Sequence, residues 1–299
     1  MAVVINTNVD SIKIQGLLTK STNGLSQAME RLSSGLKVNS AKDDAAGTVI
    51  SARMQVQLDG NKIAQNNVQN GNAMLSTAEG NLDVVQDNLS RIRDLTLQAK
   101  NGTYSAEEIQ AMQDEVDERM AEIDRISTSS KYSSLSLFND EKLQQDGVTF
   151  QVGADYTEDN TILADSSIFQ KVTFSSLTGF AAGFDLTTMN HDAATPAGPD
   201  TPEQPAAGSY AEAVQKLDEA LDNITARKSQ IGSAQNRLES ALDTLTTQYE
   251  NLSSAKSIIT DADVASEASN FTQQQILQQV STSLLAQANQ APAIALSLV

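Results

Sequence analysis

Cysteine is absent from this 299-residue sequence, which excludes disulfides, thiolate-ligated zinc and thiol catalysis. Tryptophan is absent too, and aromatic residues make up only 4% of the chain. Such a shortage suits long helices packed through small and aliphatic side chains, which do without the bulky anchors of globular cores. Positive charge is scarce: 20 Lys and Arg stand against 38 Asp and Glu, a net charge of −18. A surface of that sign repels phosphate backbones and anionic lipid, so neither nucleic acid nor a membrane is an expected partner. No run approaches the ~20 apolar residues of a membrane span. The opening residues, Met1 to Gly16, hold no basic segment followed by an apolar run, and do not read as a Sec-type signal peptide.

Groups that carry chemistry are equally sparse. The single histidine, His191, lies in a linker-like stretch, so no H-E-x-x-H zinc site can exist. No G-x-S-x-G elbow, phosphate-cradling glycine loop or calcium loop is present. The adjacent acids Asp43 and Asp44 invite a metal reading, but Ser40-Ala41-Lys42-Asp43 fits a capping box. Ser40 and Asp43 would then cap the helix that Ala45-Ala46 begins, with the acids at its positive end. Neither catalytic residues, nor a metal, nor a cofactor is expected.

What the chain does hold is spacing. A 3/4 rhythm runs through Ile14, Leu18, Ser21, Leu25, Ala28 and Leu32. A second begins Ile50, Met54, Gln57, Asn61 and continues Ala64, Val68, Gly71, Leu75, Ala78, Leu82, Val85, Leu89, Ile92, Thr96, Ala99. Of those fifteen positions eleven are apolar, a density that predicts a long helix. At 1.5 Å per residue it extends roughly 75 Å. Asn101-Gly102 is expected to end it, with the glycine in a left-handed cap. A shorter helix follows, opened by a Ser105/Glu108 capping box and carrying Ile109, Met112, Val116, Ile123 and Ile126 on one face. The C-terminal half repeats the rhythm through Val214, Leu217, Leu221, Ile224, Lys228, Ile231, Gln235, Leu238, Leu242, Leu245, Tyr249 and Leu252. Two seams from opposite halves imply an antiparallel bundle whose inner seam includes Leu75, Leu82, Leu89, Leu238, Leu242 and Leu245.

Between the halves, Val148–Val152 reads as a short strand and Thr161–Leu163 as its partner. Residues 172–190 are ambiguous. Pro196, Pro199, Pro202 and Pro205 then mark an extended linker. Beyond Lys256 no Lys or Arg occurs, and glutamines alternate with Ile276, Leu277, Val280, Leu284 and Leu285. Such a helix is marginal alone and is expected to bury its stripe among copies. An interfacial membrane helix would need basic residues on its polar face.

Segments 1–140 and 208–299 resemble flagellin, the subunit of the bacterial flagellar filament. The resemblance rests on Val4-Ile5-Asn6-Thr7-Asn8, on ERLSSGLKVNSAKDDAAG from Glu30 to Gly47, and on Leu89–Leu95 and Glu122–Ile126. It continues through Phe150–Ala154, Ile231–Leu238, Leu285–Gln290 and the Leu-Ser-Leu close at 296–298. The fold it implies is mainly α: a long antiparallel coiled-coil bundle formed by both chain ends, with a small β-hairpin region in the middle. Residues 1–44 and 258–299 would form the filament core, residues 45–163 and 209–257 a helical core domain, and 164–208 a short variable surface segment.

The resemblance further implies a self-assembling, non-enzymatic subunit of an extracellular filament for motility, exported unfolded through the flagellar type III channel. Filament-core packing would involve Ile14, Leu18, Leu25, Leu32, Phe271, Leu277, Val280 and Leu284. Expected partners are other copies, an export chaperone, the filament cap, hook-junction proteins and, in animal hosts, Toll-like receptor 5. The residues matching the receptor pattern are Arg91, Leu95 and Glu115, which also serve packing. The alternative is a hook–filament junction protein with the same terminal motifs. Some flagellins carry a metalloprotease insert, but the short centre and missing zinc motif speak against one here.

Overall fold

The computed structural model describes residues 8–180, 184–189, 194–195, 204–205 and 208–296. They are mainly helical: α1 Val9–Ser34, α2 Ala45–Ala99, α3 Ala106–Ser129, α4 Glu141–Asp146, α5 Phe174–Thr178, α6 Tyr210–Thr260 and α7 Val264–Leu296. Short antiparallel pairs lie between them: β1 Lys131–Tyr132 with β2 Leu135–Ser136, β3 Val148–Gln151 with β4 Thr161–Ala164, and β5 Ala194–Thr195 with β6 Gln204–Pro205. His191 and three of the linker prolines fall outside the described residues. The chain divides into two compact units, Met1–Asp59 with Gln248–Val299, and Gly60–Thr247.

In the first unit α1 and α7 run antiparallel. The Asn8 side chain donates to Ala288 O at 2.8 Å, Gln278 donates to Thr22 Oγ1 at 3.2 Å, and Arg31 faces Glu267 at 3.9 Å. Gly35, with φ +71°, closes α1 in a left-handed cap that a side chain would strain. The following residues zip onto the link between α6 and α7: Lys37 and Val38 N–H donate to Thr260 O, and Ala262 N–H donates to Gly35 O. Asp44 caps α2, accepting from Gly47 N–H at 2.9 Å. Ser40 and Asp43 serve one step earlier than the sequence suggests. Asp43 accepts from the N–H and hydroxyl of Ser40 and closes the turn that leads into the helix.

The second unit is built on α2, α3 and α6. Val68, Leu75, Leu82, Leu89 and Ile92 of α2 meet Val116, Ile123 and Ile126 of α3 and Leu217, Ile224, Ile231, Leu238 and Leu245 of α6 in one core. Leu242 is half-buried against it. The two polar interruptions of the α6 seam are answered across the bundle. Lys228 pairs with Asp83 and donates to Gln86 at 3.0 Å, while Gln235 donates to Ser76 at 3.2 Å. Their apolar stems stay in the seam while their polar ends reach its edge. Arg93 pairs with Asp218, and the descending partners confirm antiparallel α2 and α6.

Two expectations about α2 need correction. Its early register is Ser51, Met54, Leu58, Asn61: Leu58 is buried, whereas Ile50 and Gln57 are exposed. Both readings are 3/4 rhythms, and apolar Ile50 drew the sequence reading onto the wrong one. At the other end Gly102 is not left-handed; α2 frays through Lys100 N–H to Thr96 O and Asn101 N–H to Gln98 O. The capping box at Ser105 and Glu108 forms as expected.

The β3–β4 hairpin pairs Phe150 with Ile162 and Gln151 with Thr161. It sits on a flat stretch of α2 made by glycine: a Cβ on Gly71 would come within 2.9 Å of the Phe150 ring. Beyond the hairpin, residues read as surface linker turn out to be core. Ile168, Phe169, Val172, Phe174, Phe184 and Leu186 are all buried. Phe184 stacks edge-on against Phe174 and Phe180, at centroid distances of 5.5 and 5.2 Å. Gln113 of α3 ties this strap down, donating to Phe184 O and accepting from Leu186 N–H, each at 2.8 Å. Replacing it with nearly isosteric methionine leaves two buried backbone groups unpaired, at about 1–3 kcal/mol each. Gln113→Met should lower the melting temperature, followed by circular dichroism, by roughly 5–15 °C.

Candidate functional site

The surfaces available for function are helix faces. On α1, Ser21 and Ala28 are buried and Ile14, Leu18, Leu25 and Leu32 are half-buried toward α7. From α7 the matching face is Phe271, Gln274, Gln278, Ser281 and Leu285, half-buried or buried. The α7 side of this seam is narrow and mostly polar. Small residues let the helices approach, and a Cβ on Gly24 would lie 3.0 Å from the Gln274 side chain. Leu277, Val280 and Leu284 do not join it and remain 43%, 47% and 45% exposed. Ile276 lies on the same bare side, and an open groove of about 490 Å³ runs between Ser269, Thr272, Gln273, Ile276 and Leu277. On α1, Val9, Ile12, Leu17 and Met29 are likewise more than half exposed. Isolated exposed apolar residues are ordinary, but contiguous stripes of this kind mark an interaction surface.

On the second unit, Arg91 and Glu115 meet side by side, with Nε to Oε1 at 2.8 Å and Nη2 to Oε2 at 3.0 Å. Arg119 approaches the same carboxylate at 3.6 Å and donates to Asn88 Oδ1 at 3.0 Å. Leu95 differs from its two companions: at 2% exposure it belongs to the core beneath them. The Arg91 hydrogen bond holds the Glu115 carboxyl below the usual glutamate range. A group with a lowered folded pKa stabilises the protein above its unfolded value and loses that contribution as pH falls through the folded one. Glu115→Gln should therefore flatten the acid limb of a stability–pH profile measured by urea midpoints.

Among the described residues no cluster of three or more His, Cys, Asp or Glu is placed to hold a metal, and no helix is long and apolar enough to cross a membrane. The bare apolar helix faces of the first unit and the tightly filled helical core of the second define a class: a structural protein whose chemistry is packing.

The comparisons with known proteins give the family. Residues 5–142 match the bacterial flagellin N-terminal helical region, and residues 214–299 the bacterial flagellin C-terminal helical region. A flagellin of Xenorhabdus nematophila is 40% identical over 315 residues, covering 100% of each chain. A flagellin of Serratia marcescens is 37% identical over 351 residues, again with full coverage of both. The flagellar filament 33 kDa core protein of Treponema phagedenis is 33% identical over 307 residues, covering 99% of each. The chain belongs to the bacterial flagellin family, the non-enzymatic structural subunits of the extracellular flagellar filament.

Sequence reasoning located the inner core and missed the closing strap. The signal was available: Phe138, Phe150, Phe169, Phe174, Phe180 and Phe184 are six of the seven phenylalanines. Four of them, Phe169, Phe174, Phe180 and Phe184, fall in the stretch that otherwise looks like linker, and that concentration marks it as packed.

Proposed function

We propose that the terminal helices complete their burial only when a subunit joins the growing filament, which drives motility. The carrying observation is the bare stripe of Ile276, Leu277, Val280 and Leu284, lying opposite the narrow polar seam that α1 covers. Other copies are the occupants of that stripe, within a filament core formed by residues 1–44 and 258–299. Coupling its burial to assembly keeps the unassembled pool monomeric, because the ordering cost is recovered only in the lattice. Export unfolded through the flagellar type III channel, an export chaperone on the C-terminal segment, and contacts with the filament cap and hook-junction proteins complete this reading.

Ammonium sulfate strengthens apolar burial and should drive purified full-length protein into long filaments visible by negative-stain microscopy. Persistence as monomers, or assembly that stops at short oligomers as a junction protein would, overturns the proposal. Recognition by animal Toll-like receptor 5 is the second reading, favoured by the exposed Arg91 and Glu115 pair above buried Leu95. Loss of a receptor-reporter response in Arg91→Ala, with assembly retained, is its test.

A further inference from the structure

We propose that Asn101 is a spontaneous deamidation site, left open by a fold that closes the same chemistry at two other positions. The chain holds three Asn-Gly pairs, at 23–24, 70–71 and 101–102. In such a pair the glycine amide nitrogen, having given its proton to solvent base, attacks the asparagine Cγ. The new N–Cγ bond closes a succinimide ring as the Cγ–Nδ2 bond breaks, and the nitrogen leaves as ammonia after taking up a proton. Water then opens the ring at either carbonyl, leaving aspartate or its isoaspartyl isomer. The step needs no enzyme, oxidant or cofactor. It does need a glycine N–H free of hydrogen bonds and a backbone able to let Cγ approach.

Gly24 and Gly71 lack both freedoms. Each lies deep inside a helix, Gly24 in Val9–Ser34 and Gly71 in Ala45–Ala99, where its N–H belongs to the helical ladder. Gly24 also abuts Gln274, and Gly71 is wedged beneath Phe150 and Leu238. Asn101, by contrast, is exposed just past the end of α2, in the turn leading to α3. Its backbone N–H donates to Gln98 O at 3.0 Å and its carbonyl accepts from Tyr104 N–H at 3.4 Å. Among the described residues no hydrogen bond engages the Asn101 side chain or the Gly102 N–H, and nothing lies within 4 Å of a Cβ built on Gly102. Ring closure there disturbs no packed contact.

The experiment incubates folded full-length protein at mildly alkaline pH in oxygen-18 water and maps peptides by mass spectrometry. Labelled aspartate and isoaspartate should accumulate at 101 more than about tenfold faster than at 23 or 70. Those two positions must wait for local opening, and each decade of protection corresponds to ~1.4 kcal/mol of opening free energy. In denaturant all three should convert at similar rates. Gly102→Ala, which meets no clash and needs no left-handed backbone, should suppress conversion at 101 without moving the melting temperature. Equal rates in the folded protein, a preference for 101 that persists in denaturant, or conversion unaffected by Gly102→Ala overturns the proposal.

Discussion

Deleting residues 260–299 should abolish filament formation at any protein concentration while leaving the melting transition of the inner bundle in place. The deletion removes α7, and with it both the seam that covers α1 and the bare stripe of Ile276, Leu277, Val280 and Leu284. It leaves every residue of Gly60–Thr247, whose core joins Leu75, Leu82 and Leu89 to Leu217, Ile224 and Leu238. Loss of residues 1–40 should act the same way from the other strand of the pair, because α1 and α7 have each other as their partner in the first unit. Both fragments should stay soluble and helical by circular dichroism, with the inner bundle melting where it does in the full chain. Filaments from either one in ammonium sulfate, seen by negative stain, would sink the idea that assembly resides in the terminal helices.

The pattern of apolar residues revealed where the faces are and was silent about what covers them. In α2 and α6 this did no harm, because the same chain supplies the cover: Leu82, Leu89, Leu238 and Leu245 are all buried. In α7 the stripe of Ile276, Leu277, Val280 and Leu284 is easy to see in the sequence, which points to other copies as its cover, and α1 leaves it bare. Instead α1 takes the Gln274, Gln278 and Ser281 face, where small and polar side chains permit close approach. Hydrophobic periodicity marks the α1 side of this seam, through Ile14, Leu18, Leu25 and Leu32, but not its α7 side. The strap at 165–189 escaped for another reason. Its backbone is tied down by scattered distant side chains, Gln113, Asp124, Arg227 and Tyr210, rather than by a ladder, so no repeat announces it. The register slip at Leu58 is a smaller case: two heptad phases were open, and only burial chooses between them.

The contrast between the two surfaces can be tested with one substitution made twice. Leu89 has 0% exposure at the centre of the second unit, and Leu284 is 45% exposed on α7. Leu89→Ala leaves a cavity among α2, α3 and α6 and should cost about 3–5 kcal/mol. At 2–4 °C per kcal/mol for a unit of this size, the melting temperature should fall by roughly 10 °C. Leu284→Ala removes atoms already half in water, so the monomer should melt within about 0.5 kcal/mol of the parent. Its cost falls on assembly. Because Leu284 is already about half buried, completing its burial against another copy is worth about 1 kcal/mol more than burying alanine. That difference should raise the critical concentration for polymerisation roughly 5-fold. Sedimentation of filaments against total protein measures the second effect and thermal melting the first. If Leu284→Ala polymerises at the parent's critical concentration, the stripe on α7 is not an assembly surface; if it melts early, the stripe was already covered within the monomer.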